Sequence, residues 1–412
     1  MLGLKNFVEK KRALLESGEV IQVIEIADTY IAVVSAKANS EKKKIIILDE
    51  KREENNIDNI EETFQKTVAL MKEVDCEDGI TIAINLDAKL ANTIHSSVSV
   101  VRPHPNEEIN ESDLRNVVSE AMWRAYDRER PRAAEKLDAN ELDIVLADAR
   151  VKNILLDDHR VSSPLGFKAR KVKLELVQTF TTRNIFEKIK ELIPFEQERC
   201  VEEIGSVMTE ILKRTTSEQE YLVAILMNKR TDIFIMKKGK GAYLDSFHWG
   251  RTNLIGSIMK NLSLSKSVAE RLYHIVLDKE ASRGFLTKFE KLITAELQIM
   301  INGLVAHAGK AESRLMFVYP FFELPEIVWT DRFKKRFPEK ATLRQISTKT
   351  AKDELGLEIN DKNSNNKRQL FSVIASIAGC IDGTKNEAVA RIVKRNVHWL
   401  ISAKGKKKSL DM

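Results

Sequence analysis

Three cysteines are all that the 412 residues hold. Cys76, Cys200 and Cys380 lie far apart with no Cys-x-x-Cys pair, which leaves neither a zinc pattern nor a disulfide framework and favours a reducing cytoplasm. Long apolar runs are missing as well. No stretch approaches the roughly 20 apolar residues needed to cross a bilayer, and Leu370 to Ile381 is short and interrupted by serines and a glycine. The N-terminus carries charges where a signal peptide needs an apolar core, so an intracellular protein is expected. Charge of one sign is scarce: 67 basic residues against 61 acidic ones leave +6, too little for a whole-protein nucleic-acid binder. No Gly-x-Ser-x-Gly, His-Glu-x-x-His or Walker-A sequence occurs, and the seven histidines show no ligand spacing. These absences leave no catalytic constellation and no metal site to predict.

A composition of 43% hydrophobic and 31% charged residues suits a chain that buries a real core in two or three domains, or in one large two-lobed unit. Leu2 to Leu15 reads as a short helix. Glu19 to Ser35 is rich in Val, Ile and Thr and breaks near Ala27-Asp28, as two strands joined by a tight turn do. A third strand at Ile45 to Asp49, a helix over Ile57 to Val74 and a strand at Ile80 to Asn85 follow. After Pro103 and Pro105 the pattern changes. A helix over Glu108 to Tyr126, capped by Asn110 or Ser112, precedes strands at Ile144 to Val151 and from Ile154. A turn at Ser163 to Gly166, an alternating strand from Ala169 to Thr181 and a helix over Asn184 to Leu192 then close a small module. Tyr221 to Met236 is again strand, turn and strand. Helical periodicity runs through Leu254 to Leu277 and Phe285 to Ala306, a buried strand through Arg314 to Val318, and an apolar helix through Leu370 to Cys380.

The strand–strand–strand–helix–strand opening resembles a lobe of the actin and sugar-kinase fold. The inserted module is more specific. Glu108-Ile109 with Asp113, then Pro164-Leu165-Gly166, the strand ending Thr181-Thr182, and the helix led by Asn184 follow the order of the subdomain found in FtsA proteins. Gly250, Val268-Ala269-Glu270 and the helix Phe371 to Gly379 continue the match. The chain therefore resembles the wider FtsA and PilM group. The resemblance implies an α/β, two-lobed actin-like fold (actin, sugar-kinase and heat-shock ATPase type) with an inserted α+β subdomain in the first lobe. Its expected divisions are an N-terminal helix (1–18), a first lobe (19–106), the inserted subdomain (107–200), a second lobe with a return segment to the first (201–383), and a basic tail (384–412).

Proteins of that fold hold ATP between two phosphate-binding hairpins and a glycine-rich adenosine loop, because glycine lets backbone N–H groups approach phosphate closely. The resemblance places the first hairpin at Glu25-Ile26-Ala27-Asp28, where the glycine is gone and Asp28 adds a negative charge. The second falls on Ile225 to Asp232, where Met227, Asn228 and Lys229 replace three glycines, Arg230 follows, and only Thr231-Asp232 survive. The adenosine loop falls on Tyr319-Pro320-Phe321-Phe322, bulky where the family is empty, with Leu324-Pro325 marking the register. Losing several contacts worth about 1–3 kcal/mol each would abolish useful affinity, so the expectation is a chain without ATP hydrolysis and without a cofactor. A minority reading gives Lys229 and Arg230 to phosphate as point charges.

The last segment is basic and amphipathic. Val389, Ile392, Val393, Val397, Leu400 and Ile401 recur at helical spacing, with Lys394 and Arg395 largely off that face, Trp399 beside it, and Lys404, Lys406, Lys407 and Lys408 beyond. Such a helix suits an anionic membrane surface, and FtsA proteins carry an amphipathic membrane-targeting helix at this end. The expected function is then a non-enzymatic scaffold at the cytoplasmic face of the membrane, with the tubulin-like division protein FtsZ or other division proteins as partners and self-association through the module. No nucleic acid is expected. Two alternatives stand beside it: a polymerising ATPase dependent on ATP and magnesium, and a PilM-like scaffold of a pilus or secretion machine.

Overall fold

The computed structural model describes residues 19–39, 41, 43–74, 80–193, 199–311, 315–335, 337, 342–361, 370–381 and 387–402. The helix expected over Leu2 to Leu15 and Cys76 lie outside the described residues, while Cys200 and Cys380 are free, partly buried thiols.

The first sheet is built on β1 (Glu19–Ile26), β2 (Tyr30–Asn39) and β3 (Lys44–Glu54), an antiparallel meander. β4 (Thr81–Leu86) lies parallel to β1, β9 (Arg199–Glu203) parallel to β4, and β15 (Glu358–Asp361) parallel to β3, giving the order β15-β3-β2-β1-β4-β9. These β-branched segments are buried on both faces. One face of the sheet is covered by α1 (Ile60–Glu73) and α3 (Arg183–Leu192), whose Phe64, Ile185, Phe186 and Ile189 pack on Ile24, Ile82 and Ile84. Asn59 begins α1 by accepting from the Glu62 N–H and donating to the Glu62 carboxylate at 2.9 Å, a reciprocal cap. The helix led by Asn184 thus belongs to the first-lobe core rather than closing the inserted module.

The second sheet has the order β12-β11-β10-β13-β14, from β10 (Glu220–Leu226), β11 (Thr231–Lys237), β12 (Lys240–Phe247), β13 (Leu315–Pro320) and β14 (Thr342–Gln345). Strand periodicity decides its two cores. Leu222, Ala224 and Leu226 meet α5 (Arg251–Leu262), α6 (Lys266–Leu277) and α7 (Arg283–Ala311) on one side. Tyr221, Val223 and Ile225 point the other way, into a core shared with Val23, Ala32 and Val34 of the first sheet. α4 (Ile204–Leu212) and α8 (Phe371–Ile381) supply Met208, Ile211, Phe371 and Ile374 to that same core, so both lobes rest on one continuous apolar layer. The periodicity over Leu254 to Leu277 is two helices, broken at Ser263, which adopts a left-handed φ of 53°.

The inserted module is a four-stranded sheet in the order β5-β8-β6-β7: β5 (Ala91–Val101), β6 (Ile144–Leu156), β7 (His159–Val161) and β8 (Lys171–Thr182). Three expectations change here. β5 pairs with β8 along its whole length, so the module's sheet begins at Ala91, before the expected boundary at 107. The two strands expected after Ile144 are one, irregular at Leu146/Asp148 and Val151/Asn153. α2 (Glu111–Lys136), capped by Asn110, continues ten residues beyond the expected Tyr126, to Lys136. Pro164 and Gly166 form the predicted turn: Gly166 has φ 80° and its N–H donates to Ile109 O at 3.0 Å.

α9 (Glu387–Ser402) carries the largest correction. The described part of its apolar stripe does not face outward for lipid. Val389, Val393 and Val397 are buried with Val117, Ala121 and Met122 of α2 and with residues of β6, and Ile392 packs at the edge of the same core. Spacing of four residues puts these valines on one face, and the module's sheet needs a second covering helix beside α2. The side chains of Trp399, Leu400 and Ile401, and residues Lys404, Lys406, Lys407 and Lys408, lie outside the described residues.

Val393 is 2% exposed, so Val393→Asp is expected to lower stability by about 2–5 kcal/mol. Thermal or urea unfolding checks this; a free lipid-binding tail would leave the transition unchanged.

Candidate functional site

The carboxyl ends of β1, β4, β10 and β13 converge where the two sheets approach, and their connections carry the residues aligned with the nucleotide motifs. The first hairpin, Ala27 to Tyr30, closes through the Ala27 N–H and Tyr30 O at 3.0 Å and is fastened from behind by Asn55, which donates to Ala27 O at 2.8 Å. The second, Met227 to Arg230, closes through the Met227 N–H and Arg230 O at 2.9 Å. Against it sits the start of α5. The Arg251 N–H donates to Met227 O and the Thr252 N–H to Asn228 O, at 3.0 and 2.9 Å. A Cβ on Gly250 would collide with both of those carbonyl oxygens, which is the physical reason for glycine before this helix.

Arg230 is the centre of the site. Its Nε donates to Asp232 Oδ1 at 2.8 Å, and its Nη2 donates to Asp232 Oδ2 at 3.1 Å and to Asp87 Oδ1. Its Nη1 stands 3.9 Å from Asp28 Oδ2 without a hydrogen bond. The guanidinium side chain is 7% exposed and the three carboxylates no more than 1%. Asp28 and Asp87 belong to the first lobe, Arg230 and Asp232 to the second, so one buried cation joins the lobes.

The backbone donors are occupied too. The Asp28 N–H donates to Asp87 Oδ2 at 3.0 Å, and the Lys229 N–H donates to the Asp28 carboxylate. Protein carboxylates therefore accept the N–H groups that a phosphate would need, and a guanidinium stands among the acids that would attend magnesium. Glu25 is likewise committed, accepting from Tyr30 Oη at 2.6 Å and from Asn85 Nδ2 at 3.3 Å. Among the described residues no group of three or more His, Cys, Asp or Glu side chains is placed to hold a metal ion.

Two further contacts bridge the lobes. Lys229 Nζ donates to Asp58 Oδ2 at 2.6 Å. Phe321 packs on Tyr30 with ring centroids 5.2 Å apart, and the Arg52 guanidinium lies 3.9 Å from the Tyr30 centroid on that ring's face. Phe321 also meets Tyr319 at 5.0 Å, and its N–H donates to Leu226 O, prolonging the ladder in which Pro320 pairs with Leu226. Phe322 turns toward Trp249, and Met227 is buried in the shared core. Thr231 Oγ1 donates to Trp249 O at 2.8 Å. Above these residues the cleft remains open, with a volume of about 840 Å³ between Arg52, Arg251, Glu270, Tyr273 and Phe321. That space reaches both hairpins at Asp28, Thr29, Asn228 and Lys229, and beneath them it meets the Arg230, Asp87 and Asp232 side chains rather than a free backbone cradle. The residues present do not fit a magnesium nucleotide.

Asp87, Asp58, Asn55 and Tyr30 went unnoticed in the sequence. The one available signal is position: Asp87 follows β4 directly, at the carboxyl edge of a parallel strand where such sheets place functional groups.

No protein-family model matches this sequence, and no curated protein matches it. Solved structures do. A PilM–PilN complex of type IV pilus biogenesis superposes with a TM-score of 0.50 at 11% identity, covering 92% of this chain and 98% of that one. A ROK-family glucokinase from Streptomyces griseus, in complex with glucose and AMPPNP, gives 0.41 at 10% identity over 87% and 97%. An archaeal actin homologue gives 0.39 at 9% identity over 87% and 97%. The chain has the actin-like fold shared by actins, sugar kinases and heat-shock ATPases. Identities this low define a fold and no activity.

Removing Arg230 would leave three buried carboxylates around a void, so Arg230→Ala is expected to cost about 3–5 kcal/mol in thermal unfolding. Asp28→Asn should act in the opposite direction. Burial, then repulsion from Asp87, raises the Asp28 carboxyl above its usual range, and burial raises Asp232 likewise. A carboxyl raised by folding contributes stability below its ordinary value of 3.8, and that contribution is lost as pH rises through the folded value. Asn keeps an acceptor for the Lys229 N–H and removes the charge, so Asp28→Asn should raise the melting point at pH 8 and barely change it at pH 4. Asp58 has the reverse sign. Hydrogen bonds from Lys229 and Lys89 lower it to about 2, so the Lys229 bridge persists until pH falls through that value, while its contribution to stability declines as pH falls from 3.8 toward it.

Proposed function

We propose that this chain is a nucleotide-independent scaffold on the actin-like fold, holding protein partners in a membrane-linked assembly of the kind PilM forms with PilN. The observation that carries this reading is the buried Arg230 guanidinium among Asp28, Asp87 and Asp232. A nucleotide bridging the lobes would do so through phosphate and a divalent cation. Here side chains make the bridge, and lobe closure needs no ligand. ATP hydrolysis is not part of the function.

The pilus-type reading is preferred to a division role. Partnership with FtsZ came from the resemblance to FtsA proteins, and its lipid-bound form from the C-terminal amphipathic stripe, whose Val389, Val393 and Val397 are covered by the module. Attachment to the cytoplasmic face of a membrane is then proposed to run through a membrane-bound protein partner.

Differential scanning fluorimetry with ATP, ADP and AMPPNP at millimolar concentration with magnesium tests the central point. No rise in melting temperature is expected. A ligand at 100 times its Kd adds about 2.7 kcal/mol of stability, so a clear nucleotide-dependent rise would overturn the reading. Restoring the family's glycines in the second hairpin (Met227→Gly, Asn228→Gly, Lys229→Gly) is expected to leave the result unchanged, because Arg230 still fills the site.

A further inference from the structure

We propose that the furrow between α2 and α9 is a docking groove for an acidic, amphipathic segment of a partner protein. It is lined by none of the residues of the interlobe cleft and goes beyond the scaffold reading.

The groove has a volume of about 470 Å³. Leu114, Trp123 and Ile392 line it with apolar surface, and Trp123 and Ile392 are only half-buried. Its width is set by the helices themselves: Asn396 Nδ2 on α9 donates to Ser119 Oγ on α2 at 3.0 Å. Trp123 is braced edge-on against Tyr126, with ring centroids 6.2 Å apart. The apolar surface is therefore preformed, and part of it stays in contact with water.

The rim decides what would cover it. Among the described residues, Arg115, Arg391 and Arg395 line the groove with one carboxylate, Glu111. Arg115 and Arg395 are exposed and make no ion pair with another described residue. Planar guanidinium groups around an aromatic and aliphatic floor match a segment that offers carboxylates beside an apolar anchor, the forks accepting bidentate pairing. Aromatic and arginine residues are also the types that concentrate binding energy at protein interfaces.

Charge and shape argue against other occupants. Residues 403–412 carry Lys404, Lys406, Lys407 and Lys408 against Asp411, and residues 1–18 carry Lys5, Lys10, Lys11 and Arg12 against Glu9 and Glu16. Both terminal segments share the sign of the rim. A second copy docked symmetrically would bring arginine against arginine. A bilayer needs a protruding apolar face, whereas this floor is recessed and the valine stripe of α9 is buried beneath it.

The test uses the full chain and fluorescence anisotropy. The probe is a fluorescein-labelled peptide of about twelve residues in alternating Glu-Glu and Leu-Leu pairs, with a Lys-for-Glu counterpart. The acidic probe is expected to bind, more weakly as salt rises, and the basic one not to bind. Arg115→Glu with Arg395→Glu should weaken binding at least tenfold with an unchanged circular dichroism spectrum. Arg115→Lys with Arg395→Lys should weaken it less. A remote control of equal charge change, Lys260→Glu with Lys352→Glu, should leave it intact. The proposal is overturned if the acidic probe fails to bind, or if the control weakens binding as much as the groove variant. It is also overturned if sedimentation with phosphatidylglycerol vesicles, rather than peptide binding, depends on the two arginines.

Discussion

One guanidinium holds the two lobes in register. Arg230 meets Asp232 within its own hairpin and Asp87 and Asp28 across the cleft, all of them shielded from water. A buried cation among three acids is costly unless its geometry and hydrogen bonds are good, and two of the three partners meet that condition. Asp28 does not: it faces Nη1 at 3.9 Å and its carboxyl is pushed toward the neutral form. The cluster is thus better read as a device that specifies one lobe arrangement than as a source of stability. The neighbouring contacts follow from it. With the hairpins drawn together, Lys229 reaches Asp58, and Phe321 reaches Tyr30 beneath Arg52.

The apolar layer below makes that arrangement possible. Alternate residues of β1, β2 and β10, with α4 and α8 between the sheets, form one core that extends under the cleft. Met227 and Phe321 join it from positions that the resemblance to FtsA proteins aligns with glycine. The bulky side chains at these two positions extend the core upward toward the cleft. The inserted module is finished in a comparable way. Its sheet has two helices on one face, and the second of them comes from the far end of the chain.

Much of the fold was legible. Val- and Ile-rich alternation marked β1, β2, β4, β8 and β10, helical spacing marked α1, α7 and α8, and the turn at Pro164 to Gly166 carries the positive φ that glycine supplies. β5 was not, because ANTIHSSVSVV mixes polar and apolar residues on both faces and resembles a loop in isolation. The amphipathicity of α9 was legible, but its partner was not. An apolar stripe flanked by basic residues looks alike whether it meets lipid or a sheet, and only the uncovered face of the module distinguishes them.

The sequence by itself determined most of the order of strands and helices, a local property of pattern, and its resemblance to FtsA proteins led to the expectations of an actin-like fold and of bulky residues in place of glycines. It also pointed to Asp28 as an unwelcome charge for phosphate. Only the tertiary structure decided what stands in that place. Arg230 and Asp87 are 143 residues apart, and no spacing rule links a hairpin in one lobe to a strand end in the other. Their meeting depends on how two sheets pack across a shared core, a long-range geometry that residue types alone do not encode in any readable order.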